Sequence, residues 1–154
     1  MTKMIKPIAT RYSGCNFRSR LEARHAVVLD NLGIPWEYEK EGYDIDGKWY
    51  LPDFWLPKQK WWIEIKGEHP STEQHEKLAA VAEHTKAEKA YIFWGGIQVP
   101  DPRDYDSQYP ATPAMLVYPY WDEPYWWCEC PECGQLGIQF EGRSERLCDC
   151  FPTD

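Results

Sequence analysis

Five of the six cysteines lie after residue 127, at Cys128, Cys130, Cys133, Cys148 and Cys150, and only Cys15 stands apart. Met1 to Lys6 contains no apolar stretch of the kind that directs secretion, so closely spaced thiols read as a metal site rather than a disulfide framework. Cys130-Pro131-Glu132-Cys133-Gly134 has the spacing of a knuckle, with proline and glycine favouring the tight turn that aims two sulfurs at one ion. Cys148-Asp149-Cys150 offers a second pair. Four thiolates make the closed tetrahedral arrangement of structural zinc. The assignment is Cys130, Cys133, Cys148 and Cys150, with Cys128 as the substitute because the one-residue spacer of the second pair is tight. Iron–sulfur ligation and disulfides are the competing uses of these thiols. A ribbon this short has too little core to fold alone, so the metal must supply its stability.

The rest of the chain is rich enough in apolar and aromatic residues, including nine Trp and ten Tyr, to build a packed core. Its apolar runs are too short for a membrane span, and the expected compartment is the cytoplasm. The formal net charge of −8 argues against a nucleic-acid partner. Its distribution does not, because Lys3, Lys6, Arg11, Arg18, Arg20 and Arg24 face only Glu22 in the first 24 residues. That segment is either a local basic patch or a solvated face.

Residues 1 to 16 read as irregular. Leu21, Val28 and Leu32 recur at helical spacing, predicting a helix from Ser19 to Leu32 stopped by Gly33. Ile34–Glu39 reads as a strand and Gly42–Gly47 as a turn. Trp49–Leu56 and Trp61–Gly67 read as a hairpin with its turn at Pro57–Lys60. Ser71–Lys86 is a second helix capped by Ser71 or Thr72, Ala90–Trp94 a further strand, 100–114 a loop, and Met115–Tyr120 a short strand. His69, His75 and His84 read as surface or capping groups. Tyr120-Trp121 and Tyr125-Trp126-Trp127 either pack the ribbon or stack on unpaired bases.

Alternation on the central strands suggests chemistry. If Phe54, Ile63 and Ile65 face the core, then Asp53, Glu64 and Lys66 converge on the opposite face. Two neighbouring carboxylates repel, which raises a pKa or recruits a divalent cation, and a lysine beside them can orient a water or neutralise developing charge.

Pro52-Asp53 followed by Glu64-Ile65-Lys66, in the element order helix, three strands, helix, strand, resembles the PD-(D/E)XK nuclease superfamily. Phe17–Arg24 resembles the first helix of small, often phage-encoded, members, and the resemblance covers about residues 17 to 95. It implies an α/β fold with a restriction-endonuclease-like αβββαβ core over residues 1–114, followed by a linker strand and a small four-cysteine zinc ribbon over 115–154. It also implies a metal-dependent DNA endonuclease. Asp53, Glu64 and the Ile65 carbonyl would hold Mg2+ or Mn2+, Glu22 would add a further carboxylate, and Lys66 would position the attacking water. The products would carry 5′-phosphate and 3′-hydroxyl ends. Arg18, Arg20 and Arg24 are then phosphate contacts. Ser19-x-x-Glu22 is equally a capping box, and a helix beginning at Phe17 would remove that role. His25, one turn after Glu22, either packs or reaches the site. Branched, nicked or mismatched DNA is the expected substrate, and a homodimer or larger assembly would explain double-strand cutting. The competing readings are a non-catalytic binding adaptor and a nuclease subunit inactive without its partner.

Overall fold

The computed structural model describes residues 9–97, 114–130, 132–139, 148 and 150, with side chains omitted at 123–126, 128 and 139. The expected loop at 100–114 lies outside the described residues except for Ala114, which opens a strand, and the side chains of Tyr125 and Trp126 lie outside them too. Among the described residues the fold is mixed α/β: two helices and a mixed seven-stranded sheet, with two small hairpins beside it.

The chain opens with β1 (Thr10–Tyr12) and β2 (Cys15–Phe17), an antiparallel hairpin in a segment expected to be irregular. Ser13 and Gly14 both take positive φ, the two-residue turn that matches strand twist. Helix α1 (Arg20–Asn31) follows, with Ser19 as its N-cap and Leu32 as its C-cap. Its buried side, Glu22, Ala23, His25, Ala26 and Leu29, is the stripe expected of an amphipathic helix, with two polar members.

The segment expected to run as one strand from Trp49 to Leu56 is broken. β4 (Tyr43–Ile45) and β5 (Lys48–Tyr50) form a separate hairpin around the positive-φ pair Asp46-Gly47. β3 (Glu37–Tyr38) instead pairs with β6 (Phe54–Leu56). The break falls at Leu51-Pro52-Asp53, where proline offers no amide to a ladder. β7 (Trp61–Lys66) pairs antiparallel with β6 and parallel with β8 (Lys89–Trp94). Helix α2 (Thr72–Thr85) is the crossover between these parallel strands, as a parallel connection requires. Ser71 and Gln74 close a capping box at its start, and Lys86 takes the left-handed conformation at its end.

The sheet continues through β9 (Ala114–Tyr118), β10 (Asp122–Glu129) and β11 (Leu136–Gln139), in the order β11-β10-β9-β8-β7-β6-β3. Alternation divides its side chains between two cores. Phe54, Ile63, Ile65, Tyr91, Phe93 and Leu116 meet α1 residues and Phe17 on one face. Trp62, Ala90, Ile92, Met115 and Val117 meet Leu78, Val81 and Ala82 of α2 on the other. The face opposite Phe54, Ile63 and Ile65 is therefore a second core and not an open surface. Among the described residues no helix is long and apolar enough to cross a membrane.

Candidate active site

The end of β7 is where acidic side chains meet. Glu64 and Ile65 are buried there and Lys66 is half-buried. By alternation Glu64 shares the α2 face with Trp62, whereas Glu22 arrives from α1 on the other side. Asp53, at the break before β6, touches both groups. Asp53 thus meets Glu22 on one side and Glu64 on the other at the margin of the sheet between its two cores, and all three are nearly inaccessible to solvent.

Asp53 is fixed by the strand beside it. Its Oδ2 accepts the Ile65 amide at 2.8 Å, replacing a ladder partner where the chain has left β6. Its Oδ1 faces the Arg18 guanidinium at 3.1 Å. Burial, then Glu64 and Glu22, push its pKa well above the usual carboxylate range. Glu22 Oε2 accepts from Ser19 Oγ at 2.6 Å, and Oε1 from the Tyr38 hydroxyl at 2.9 Å. The Glu22 amide in turn donates to Ser19 Oγ at 3.1 Å. Ser19 therefore caps the helix through its hydroxyl, but the Glu22 carboxylate bonds that hydroxyl and Tyr38 rather than the Ser19 amide, so the reciprocal half of the expected capping box is not formed. Position in the first helical turn also favours this anion through the positive end of the helix dipole.

Glu64 Oε2 accepts a short hydrogen bond from the Tyr50 hydroxyl, which the β4–β5 hairpin carries over the α2 face. Lys66 Nζ lies 3.6 Å from Glu64 Oε1. Burial is the main force raising the pKa of both Tyr38 and Tyr50, so both phenols remain donors.

Glu39 was not among the expected residues. It adopts a positive φ of 47° just after β3, and its amide donates to the Asp53 carbonyl at 2.8 Å. That unusual backbone turns its carboxylate toward Arg18 Nε, 2.5 Å away. Carboxylate oxygens of Glu22, Glu39 and Asp53 lie within 4.8 Å of one another, close enough to share one ion. No local pattern marks Glu39 in the sequence, because its role depends on the pairing of β3 with β6.

Of the three arginines, only Arg18 reaches this site. Burial disfavours its charge, but the Tyr38 hydroxyl, Asp53 and Glu39 outweigh that and hold its pKa above the ordinary value. Arg20 and Arg24 are exposed at i and i+4, on the side of α1 away from Glu22. His25 packs in the core, its ring 5.4 Å from that of Phe93, and burial lowers its pKa to about 4.

The second cluster lies beyond β10. Sulfur atoms of Cys130, Cys133, Cys148 and Cys150 are all within 4.8 Å of one another. A tetrahedral zinc with Zn–S bonds of about 2.3 Å needs sulfurs about 3.8 Å apart, so the set is compact enough to hold such an ion. The turn between the first two is closed by Gly134 N–H to the Cys130 carbonyl at 2.8 Å and Cys130 N–H to the Gln135 carbonyl at 2.9 Å. Gly134 supplies the positive φ. The Cys133 amide stabilises the Cys130 thiolate and is the main cause of a pKa lowered to about 7, so one thiolate forms readily at neutral pH. Trp127 stacks on Phe93 with centroids 6.1 Å apart, tying the approach to this cluster into the main sheet. Tyr120 and Trp121 are exposed, with Trp121 lying against His75.

No family model matches the chain, and no curated protein or solved structure matches it. The functional reading therefore rests on the residues themselves.

Proposed function

We propose that this protein is a metal-dependent deoxyribonuclease on a restriction-endonuclease-like core, with a zinc-bound C-terminal module. The observation that carries the reading is Asp53 in contact with both Glu22 and Glu64, three nearly inaccessible carboxylates, with Lys66 3.6 Å from Glu64. Buried acids that repel one another are costly unless a cation joins them. An oxygen-only donor set of this kind suits Mg2+ or Mn2+. Asp53 would hold that ion, with Glu22 and Glu39 close enough to share it on one side and Glu64 and the Ile65 carbonyl approaching from the other. When bound, the ion would polarise the phosphoryl oxygen and lower the pKa of a coordinated water.

The chain's own groups have separable tasks. Tyr50 and Tyr38 hold Glu64 and Glu22 in place through neutral donors. Lys66, half-buried and beside Glu64, would orient the attacking water and offset the charge that develops on the phosphoryl group. The four cysteines hold zinc and order the end of the chain, where the module is expected to help engage DNA or a partner.

The test is cleavage of labelled single-stranded, duplex, nicked, flapped and four-way-junction DNA with Mg2+ or Mn2+. Metal-dependent cutting abolished by EDTA and by Lys66→Ala is the expected result, and the preferred substrate would define the biological task. Equal cutting by wild type and Lys66→Ala would refute the assignment. No cutting by zinc-loaded protein on any substrate would favour the adaptor or the subunit that needs a partner.

A further inference from the structure

Arg18 is placed where a nuclease would need a divalent cation. Its guanidinium approaches Asp53 Oδ1 at 3.1 Å and Glu39 Oε1 at 2.5 Å. Those two residues belong to the trio, with Glu22, whose oxygens lie close enough to share one ion. Asp53 Oδ2 already accepts the Ile65 amide, and Oδ1 is the oxygen that faces Arg18. A Mg2+ or Mn2+ ion about 2.1 Å from Oδ1 would lie no more than about 5 Å from a guanidinium nitrogen 3.1 Å from the same oxygen. Like charges at that separation oppose one another strongly in a partly dehydrated site.

The arginine is also free to leave. Its side chain is 58% exposed, whereas that of Asp53 is 2% exposed. Its main-chain amide donates to the Tyr38 hydroxyl at 3.2 Å, so the backbone stays anchored when the side chain swings out. Arginine recognises carboxylate and phosphate through the same planar fork.

We propose that Arg18 is an exchangeable counter-ion: it neutralises Asp53 and Glu39 in the metal-free protein, and a divalent cation displaces it toward the phosphate of the bound strand. This rests on reading the carboxylates as a cation site. It makes Arg18 a link between metal loading and substrate binding, and it explains why one arginine of the basic segment points at acids rather than into solvent.

Metal binding without DNA gives the first readout. Zinc-loaded wild type, Arg18→Gln, Arg18→Lys and Asp53→Asn would be titrated with Mn2+ while free Mn2+ is followed by electron paramagnetic resonance. Arg18→Gln should bind Mn2+ about tenfold more tightly than wild type, Arg18→Lys should stay near wild type, and Asp53→Asn should lose the site. The second readout is fluorescence anisotropy of a labelled duplex at saturating Mn2+, in a Lys66→Ala background that suppresses turnover. Arg18→Gln should there weaken binding and lower the salt slope by about one. Unchanged or weaker Mn2+ binding by Arg18→Gln, with wild type binding normally, would overturn the exchange and leave the cation site intact. Failure of both wild type and Arg18→Gln to bind Mn2+ would overturn the cation site and the exchange together.

Discussion

His25 provides a quantitative test of how the first helix is packed. It is almost fully buried on α1, and its Nε2 has no hydrogen-bond partner among the described residues. Burial alone lowers its pKa from 6.5 to about 4. The folded value is depressed, so the unfolded chain binds the proton first on acidification. The stability that this neutral imidazole protects is fully present above pH 6.5 and is lost as the pH falls toward 4. The whole shift corresponds to about 3 kcal/mol, of which about 2 kcal/mol falls between pH 7 and pH 4.5. His25→Leu removes the proton site and the unpartnered nitrogen while keeping an apolar side chain against Phe93. Urea unfolding of both proteins across this range isolates the effect, since the pH dependence of every other group cancels in the difference. The variant should gain about 2 kcal/mol on wild type between pH 7 and pH 4.5. Stability curves that run parallel would refute the argument, because they would require a solvated or proton-sharing imidazole in place of a dry one.

Asp53 acts in the opposite sense. Its folded pKa is raised, chiefly by burial, so its contribution is complete below the unfolded value and is lost as pH rises through the folded one. Metal-free Asp53→Asn should therefore lose less stability than wild type on going from pH 4 to neutrality, as followed by thermal unfolding. Cys133→Ser leaves three thiolates in the second cluster and should release zinc to a colorimetric chelator under conditions where wild type retains it. Leu78→Ala, at a fully buried position in the α2 core, should cost about 2–5 kcal/mol in urea unfolding. A smaller loss would mean that α2 packs less tightly than this core implies.

The legibility of the fold and the site in the sequence depends on how local each signal is. Ser19, Gly33 and Ser71 mark helix boundaries through their own backbones and side chains: α1 falls between Ser19 and Gly33 and α2 begins just after Ser71, as the sequence suggests. The turn chemistry of Ser13-Gly14 was equally local, yet the short strands beside it carry little hydrophobic pattern and read as irregular. Trp49–Leu56 shows the limit more clearly. Its aromatic run suits a strand throughout, but Pro52 interrupts the ladder and the halves take different partners, β5 with β4 and β6 with β3 and β7. Glu39, Tyr38 and Tyr50 enter the site through those non-local pairings. Alternation correctly separated Ile63 and Ile65 from Glu64 but could not tell an open face from one covered by α2.

The electrostatics of the acidic site bear on its function independently of any motif. Glu22, Glu39, Asp53 and Glu64 supply four carboxylates, and among the described residues Arg18 and Lys66 are the cations paired with them. The hydroxyls of Ser19, Tyr38 and Tyr50 and the Ile65 amide orient the acids without cancelling their charge. A chain selected only for stability gains little from such an arrangement, since well-packed apolar side chains in place of buried ions are often neutral or stabilising. The local cost falls on Asp53, whose pKa is raised by burial and by the neighbouring Glu64 and Glu22. Protonation relieves that repulsion but leaves a weaker ligand. A dication relieves it and keeps every carboxylate ionised, which is why the pairing of buried acids with a removable arginine favours a cation-binding site over a purely structural ion network.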